Sequence, residues 1–310
     1  MWTRTYSLLA LICFAALPEH ASAAPLELEP STEWKLREYE DKCRVSRVLG
    51  TGEDRVSLWI DQGSTSAAYN LTLIGRPLRN PYGSNLTVQF APEPEYSRAY
   101  LRAKSSKGRP VISLFGARLI PTRAEIRDDK AARDESDNTA DEGAEETVDL
   151  PEAASAMIEA PIPTPEQVAA VTELRLGRAL RQKLVLKTGS MTAPLADLDA
   201  CARKVIAAFQ ARTAKAAYPV DTARWTGIIS RNYPTHMLLA EQEGQITVSL
   251  TIGTNGRVSN CEVTQVKGPT SFNDTVCMLM FKHATFEPAR DAEGEPIPGM
   301  FSTSVIFRLN

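Results

Sequence analysis

Gly244-Gln245-Ile246-Thr247-Val248-Ser249-Leu250-Thr251-Ile252 settles the architecture of the C-terminal part of the chain. Ile246, Val248, Leu250 and Ile252 alternate with Thr247, Ser249 and Thr251. This period of two sets one face of a strand in a core and the other in water. Thr254-Asn255-Gly256-Arg257 follows, and Asn-Gly supplies the positive φ that a tight hairpin needs, so 258–266 is expected as the return strand. Phe272, Val276, Leu279 and Met280 then recur at helical spacing, with Ser271 and Asp274 at a capping-box interval. Thr303, Val305, Phe307 and Leu309 alternate in a final strand, and Met237, Leu238 and Ala240 suit a short helix before the first one. The expected order is helix, strand, strand, helix, strand.

Upstream, 34–120 reads as short strands. Val56, Leu58 and Ile60 alternate with Ser57, Trp59 and Asp61. Tyr69, Leu71 and Leu73 repeat the pattern, as do Leu86, Val88 and Phe90, and then Val111, Ser113 and Phe115. Clusters such as Gly50-Thr51-Gly52 and Asn80-Pro81-Tyr82-Gly83 supply the turns. The sum is an antiparallel sheet or small barrel. The stretch 127–152 is rich in Asp and Glu and poor in large apolar residues, so it is expected as a disordered acidic insert. Thr164 caps a helix with Pro165 at its first position, and Val168, Val171, Leu174 and Leu180 suit its continuation. Residues 183–187 read as a strand. Leu195, Leu198, Cys201, Val205 and Phe209 form the stripe of a second helix. A linker is expected at 213–226. The fold class is α+β, with a mainly-β N-terminal domain (24–212) and a small C-terminal domain (227–310).

The first residues carry Arg4 and an apolar run of about a dozen residues, against about 20 needed to span a bilayer. Pro18 breaks the run, and Ala21-Ser22-Ala23 offers a cleavage site, so 1–23 is expected to be a secretory signal peptide. The competing reading is an uncleaved inner-membrane anchor. With Cys13 removed, Cys43, Cys201, Cys261 and Cys277 remain, which allow three pairings. An even number in an exported chain favours disulfides. Cys201 lies on the inward stripe of its helix and is placed to reach Cys43 on an early strand.

Composition narrows the function. The 310 residues are 43% hydrophobic, enough for real cores, which excludes full disorder. A net charge of -3 gives no field to draw the chain onto nucleic acid. Three histidines, no Gly-x-Ser-x-Gly, no His-Glu-x-x-His and no Cys-x-x-Cys leave no catalytic residue, metal site or cofactor to name. Asp61-Gln62-Gly63-Ser64 resembles an acidic catalytic turn, but no second such turn supplies a paired carboxylate. No enzymatic activity is expected. His283 ends a helix, where a cation suits the dipole.

Tyr233-Pro234, Gly244-Gln245-Ile246-Thr247-Val248, Gly256-Arg257-Val258 and Phe286-Glu287-Pro288-Ala289 together resemble the C-terminal domain of the TonB energy-transducer family. The resemblance covers about 229–310. Trp34, Cys43 and Leu198-Asp199-Ala200-Cys201 are similar to the N-terminal domain of proteins labelled TonB-like. It implies a three-stranded antiparallel sheet behind two helices, a periplasmic location, and outer-membrane receptors as partners. The receptor's TonB box adds as an extra strand. The edge that receives it in the family falls here at 300–309, with Phe301, Thr303, Val305 and Phe307. Ser230, Arg231 and Asn232, just before Tyr233-Pro234, match the segment that also touches the box, without the glutamine often found there. Tyr233 and Pro234 suit either binding or packing. Cys261 and Cys277 resemble a pair that joins the second strand to the helix in some members. A full transducer has a transmembrane helix and a long Pro-rich spacer. This sequence shows neither, so a link to the inner-membrane proton-motive-force complex is unsupported. A homodimer, or an architectural envelope role without transport, is the alternative, because an unpaired edge also pairs with its own copy.

Overall fold

In the computed structural model, the described residues are 24–126 apart from 124, 161–268 apart from 234 and 240, and 271–309, excluding the side chains of 235, 236, 271, 273 and 274. The expected signal peptide, the acidic insert at 127–152, Pro234 and the Ser271/Asp274 capping pair lie outside the described residues.

Ten strands make the N-terminal domain: β1 (Leu26–Leu28), β2 (Lys35–Glu38), β3 (Cys43–Leu49), β4 (Val56–Gln62), β5 (Ala68–Gly75), β6 (Asn85–Ala91), β7 (Tyr96–Lys104), β8 (Pro110–Arg118), β9 (Glu173–Leu176) and β10 (Leu184–Lys187). They form one sheet in the order β1-β10-β9-β6-β7-β8-β5-β4-β3-β2. Its first and last strands belong to one continuous segment. Between them, Ser31 N donates to Val48 O (2.9 Å) and Gly50 N donates to Glu29 O (2.7 Å). That pairing carries the segment from the side of β10 to the side of β3, so the sheet closes on itself as a barrel and hides its edges. Alternation fills the interior: Val45, Leu58, Ile60, Leu71, Leu73, Leu86, Val88, Ile112 and Leu114 are all buried.

This domain also holds the α-helices α1 (Pro165–Ala170) and α2 (Thr192–Arg212). Thr164 Oγ1 accepts from Gln167 N (3.3 Å) and Gln167 Oε1 accepts from Thr164 N (3.0 Å), a full capping box. Leu195, Leu198, Cys201, Val205 and Phe209 face the barrel core, and α2 packs on β2, β3 and β4.

Two expectations change here. The helix after Pro165 stops at Ala170, and Leu174 and Leu176 belong to β9. Val171 and Thr172 are β-branched and disfavour helix, while β9 gains ladders to both β6 and β10. In β8 the inward face is Ile112 and Leu114. Val111, Ser113 and Phe115 take the other face, because both sets alternate and only packing chooses between them.

The C-terminal domain holds β11 (Tyr218–Val220), α3 (Thr222–Arg231), α4 (Thr235–Leu239), β12 (Gly244–Ile252), β13 (Val258–Lys267), α5 (Ser271–His283), β14 (Thr285–Glu287), β15 (Ala289–Arg290), β16 (Pro296–Ile297) and β17 (Gly299–Phe307). Its main sheet is three-stranded and antiparallel, in the order β13-β12-β17. Ile246, Val248, Leu250 and Ile252 pack with Phe272, Val276 and Met280 of α5 in a second core. Gly256 sits in the β12–β13 hairpin at φ 71°. A side chain there would run into the Phe286 carbonyl, and Phe286 N donates to Gly256 O (2.9 Å). Glycine is therefore required both for the turn and for seating β14 against it.

Residues 213–226, expected as a linker, are built into this domain. Tyr218–Val220 pairs with Thr285–Glu287, and Ala217 and Trp225 are buried in the second core. A three-residue strand leaves too few positions for a period to be read.

The two domains interlock. Phe115 leaves the barrel to pack on the C-terminal core, stacking on Phe281 with ring centres 4.0 Å apart. Met300 of β17 packs on the barrel core in return. Between them Asn70 Nδ2 donates to Asn260 Oδ1 (2.8 Å) and Thr251 Oγ1 donates to Gly63 O (2.7 Å), both buried. A buried partner left alone costs about 1–3 kcal/mol, which favours one docked orientation. At the rim, Arg212 Nη2 donates to Asp291 Oδ2 (2.9 Å). Burial alone would raise the Asp291 carboxyl, but the bonds from Arg212 and the Glu295 main chain outweigh it and hold it below its ordinary value.

Candidate partner-binding edge

Gly299-Met300-Phe301-Ser302-Thr303-Ser304-Val305-Ile306-Phe307 makes β17 a nine-residue strand without a charged side chain. All nine residues register with β12 on one side. Among the described residues no strand pairs with the other side. Soluble proteins usually blunt such an edge with lysine, proline or a bulge.

Alternation sorts its side chains. Phe301, Thr303, Val305 and Phe307 turn toward the helices, and Ser302, Ser304 and Ile306 toward solvent. Phe307 is buried and stacks on Phe272, ring centres 4.5 Å apart. Phe301 stands 5.2 Å from Phe286. On the open face, Ser304 Oγ and Thr247 Oγ1 share a hydrogen bond (2.8 Å) across the strand pair.

The segment before the first sheet strand reaches the far end of this edge. Tyr233 meets Phe307 and Phe272 edge-on, ring centres 5.3 and 5.5 Å apart, and its hydroxyl donates to Gln242 O. Burial first, then the charge of Glu243, raises the Tyr233 hydroxyl above its ordinary value. It stays a neutral donor at any physiological pH. Tyr233 is thus fixed by packing. Ser230, Arg231 and Asn232 are exposed at the end of α3, where Asn232 Nδ2 donates to Ile228 O (2.8 Å). Tyr233→Ala is expected to lower stability by about 2 kcal/mol, since it removes two edge-on ring contacts from a half-buried site. Calorimetry on the full chain measures this.

The opposite edge of the sheet is differently placed. The barrel packs on β13 and α5, with Phe115 and Arg118 lining a small cavity beside Cys261, Val263 and Cys277. Cys261–Cys277 joins β13 to α5, with Cα atoms 5.6 Å apart. Cys43–Cys201 joins β3 to α2 at 6.0 Å.

Other singled-out residues have structural partners. Asp61 is buried and accepts from Arg44 Nε and Nη2 (2.5 and 2.7 Å). This ion pair neutralises the carboxylate. His283 is pushed below its ordinary value by burial and then by Lys282 and Arg224. The shift works against the helix-end cation expected there. Thr251 lies on the polar side of an alternating strand and Asn70 between Tyr69 and Leu71, and no local signal marks either of them, or Asn260, as a domain contact.

Residues 230–309 match the family model of the Gram-negative bacterial TonB protein C-terminal domain. The match spans about a quarter of the chain and covers β12, β13, α5 and β17. No curated protein matches the chain. The C-terminal domain is TonB-like, and the family interacts with outer-membrane receptors.

Proposed function

We propose that this chain captures an extended segment of an outer-membrane receptor, the TonB box, as a fourth strand on β17, and so takes part in energy-dependent transport across the outer membrane. The observation that carries the reading is the long, uncharged edge of β17, left open while the barrel sits against β13. An added strand would satisfy the free main-chain groups and draw affinity from them with little demand on side chains. Phe301, Thr303 and Val305, all partly exposed, would meet its alternate residues.

The proposal places the chain in the periplasm as a binding module without catalytic activity. Two disulfides suit an oxidising compartment, and the family's domain is generally periplasmic. Among the described residues no helix is long and apolar enough to cross a membrane.

Hydrogen exchange on the full chain with a TonB-box peptide tests this. Amides of 301–307 should gain protection while those of β13 stay unchanged. Peptide bound with no change along β17 would overturn the proposal. The same open edge favours a second reading, a homodimer joined through β17. Light scattering decides: a tight dimer with β17 amides already protected would replace receptor capture.

A further inference from the structure

Where β8 ends against the C-terminal domain, Arg98, Arg118 and Glu125 are all buried, at 5%, 8% and 7% exposure. Two of them are cations and one is an anion, although buried charges are as a rule paired. The anion is fully engaged. Arg98 Nη2 stands 3.2 Å from Glu125 Oε1, and Thr122 N donates to Glu125 Oε2 (2.7 Å). The main chain of Arg118 is held by Tyr96, whose hydroxyl donates to Arg118 O (2.8 Å) and accepts from Arg118 N (2.7 Å). Its guanidinium has no such anchor. Nη1 is buried without a hydrogen-bond partner, and the side chain forms no ion pair among the described residues. Burial first pulls this guanidinium below its ordinary value. Glu125 opposes the shift, Arg98 adds to it, and Glu262 of β13 opposes it again. Two cavities open onto Arg118. The larger, about 20 Å³, has Arg98, Gly116, Arg118 and Glu125 on the barrel side and Cys261, Val263 and Cys277 on the other. The smaller, about 10 Å³, reaches Thr264 and Gln265 of β13. One water-sized occupant needs roughly 10–15 Å³, so the larger cavity has room for one.

We propose that the larger cavity is a binding site for one small monovalent anion, chloride from the surrounding solution, held against Arg118 between the barrel and the C-terminal domain. A water would fill the space and leave the buried charge uncompensated. A carboxylate or phosphate is too large for the space. Chloride is close to water in size, carries the missing charge and accepts hydrogen bonds from any direction. Glu125 does not bar it, because Arg98 neutralises that carboxylate. The walls come from both domains, so the site exists only while they are docked, and the ion favours the docked state by mass action. It lies at the β13 side of the C-terminal sheet and leaves β17 open, so the inference does not depend on strand addition.

The test melts the full chain in sodium gluconate, whose anion is too large for the cavity, as sodium chloride replaces it at constant ionic strength. The melting temperature should rise along a saturating curve, by about 3 °C at ten times the dissociation constant. Arg118→Met keeps the length of the side chain and removes the charge. It should show no chloride dependence, and in gluconate it should melt no lower than the parent, because replacing an uncompensated buried charge by an apolar group is neutral or stabilising. Chloride-35 line broadening on the parent gives a second readout that needs no variant, and it should saturate over the same range. A parent indifferent to chloride in both readouts would mean that water alone fills the cavity, which overturns the inference. A gain that grows without a plateau, or that Arg118→Met shares, would be a general salt effect and overturns it equally.

Discussion

Proline at Ser304 or at Val305 separates the fold of β17 from its use as a docking edge. Successive residues of a strand direct their N–H groups to opposite sides, so one of these two donates toward β12 and the other toward the open side. Proline at the outward position should leave the melting temperature near that of the parent, because edge strands tolerate it. It should weaken box-peptide binding at least tenfold, since a donor is lost where the incoming strand needs one. Proline at the inward position should instead cost about 2 kcal/mol of stability by breaking the ladder to β12. Calorimetry and peptide titration on both variants give the pattern. Two folded variants with undiminished affinity would rule out the β17 edge.

Removing the Cys43–Cys201 bond should produce the largest loss of stability. The bond spans a sequence separation of 158 residues, for which the chain-entropy model gives about 5 kcal/mol. That is comparable with the whole stability of many domains, about 5–15 kcal/mol. It also fastens α2 to the barrel, and α2 in turn carries Gln210 and Arg212 to the C-terminal domain. Cys43→Ala with Cys201→Ala should therefore lower the urea midpoint sharply. Cys261→Ala with Cys277→Ala should cost less, about 3 kcal/mol, because the separation is 16 residues. Equal midpoints for the two double variants would mean that loop length does not set the stabilisation.

Local pattern carried much of the C-terminal domain. Ile246 to Ile252 alternate over a whole strand with one wet face, Asn255-Gly256 demands a tight turn, and the stripe from Phe272 to Met280 has a single helical phase. Each signal is satisfied within a few residues, so no distant contact was needed to read it. Two of the four family motifs, Gly244-Gln245-Ile246-Thr247-Val248 and Gly256-Arg257-Val258, lie on the first strand and its turn. The helix after Pro165 and the barrel strands β4, β5, β6, β8 and β10 were also legible in kind, though the helix ended earlier than its apolar spacing suggested and that spacing ran on into β9.

Tertiary structure decided what depends on residues far apart in sequence. Leu174 fits a helix stripe or a strand, and the ladders to β6 and β10 chose the strand. Ile112 and Phe115 lie on opposite faces of one alternating strand, and two separate cores claimed one each. Within 213–226, Tyr218–Val220 became a strand because Thr285–Glu287 was there to pair with it. Closure of the barrel rests on residues 29–31 meeting 48–50, and the docking of the domains on Asn70 meeting Asn260 across 190 positions. Periodicity along a chain reports which side chains share a face. Which face is buried, and which strand edge stays open, is settled by neighbours that no local window contains.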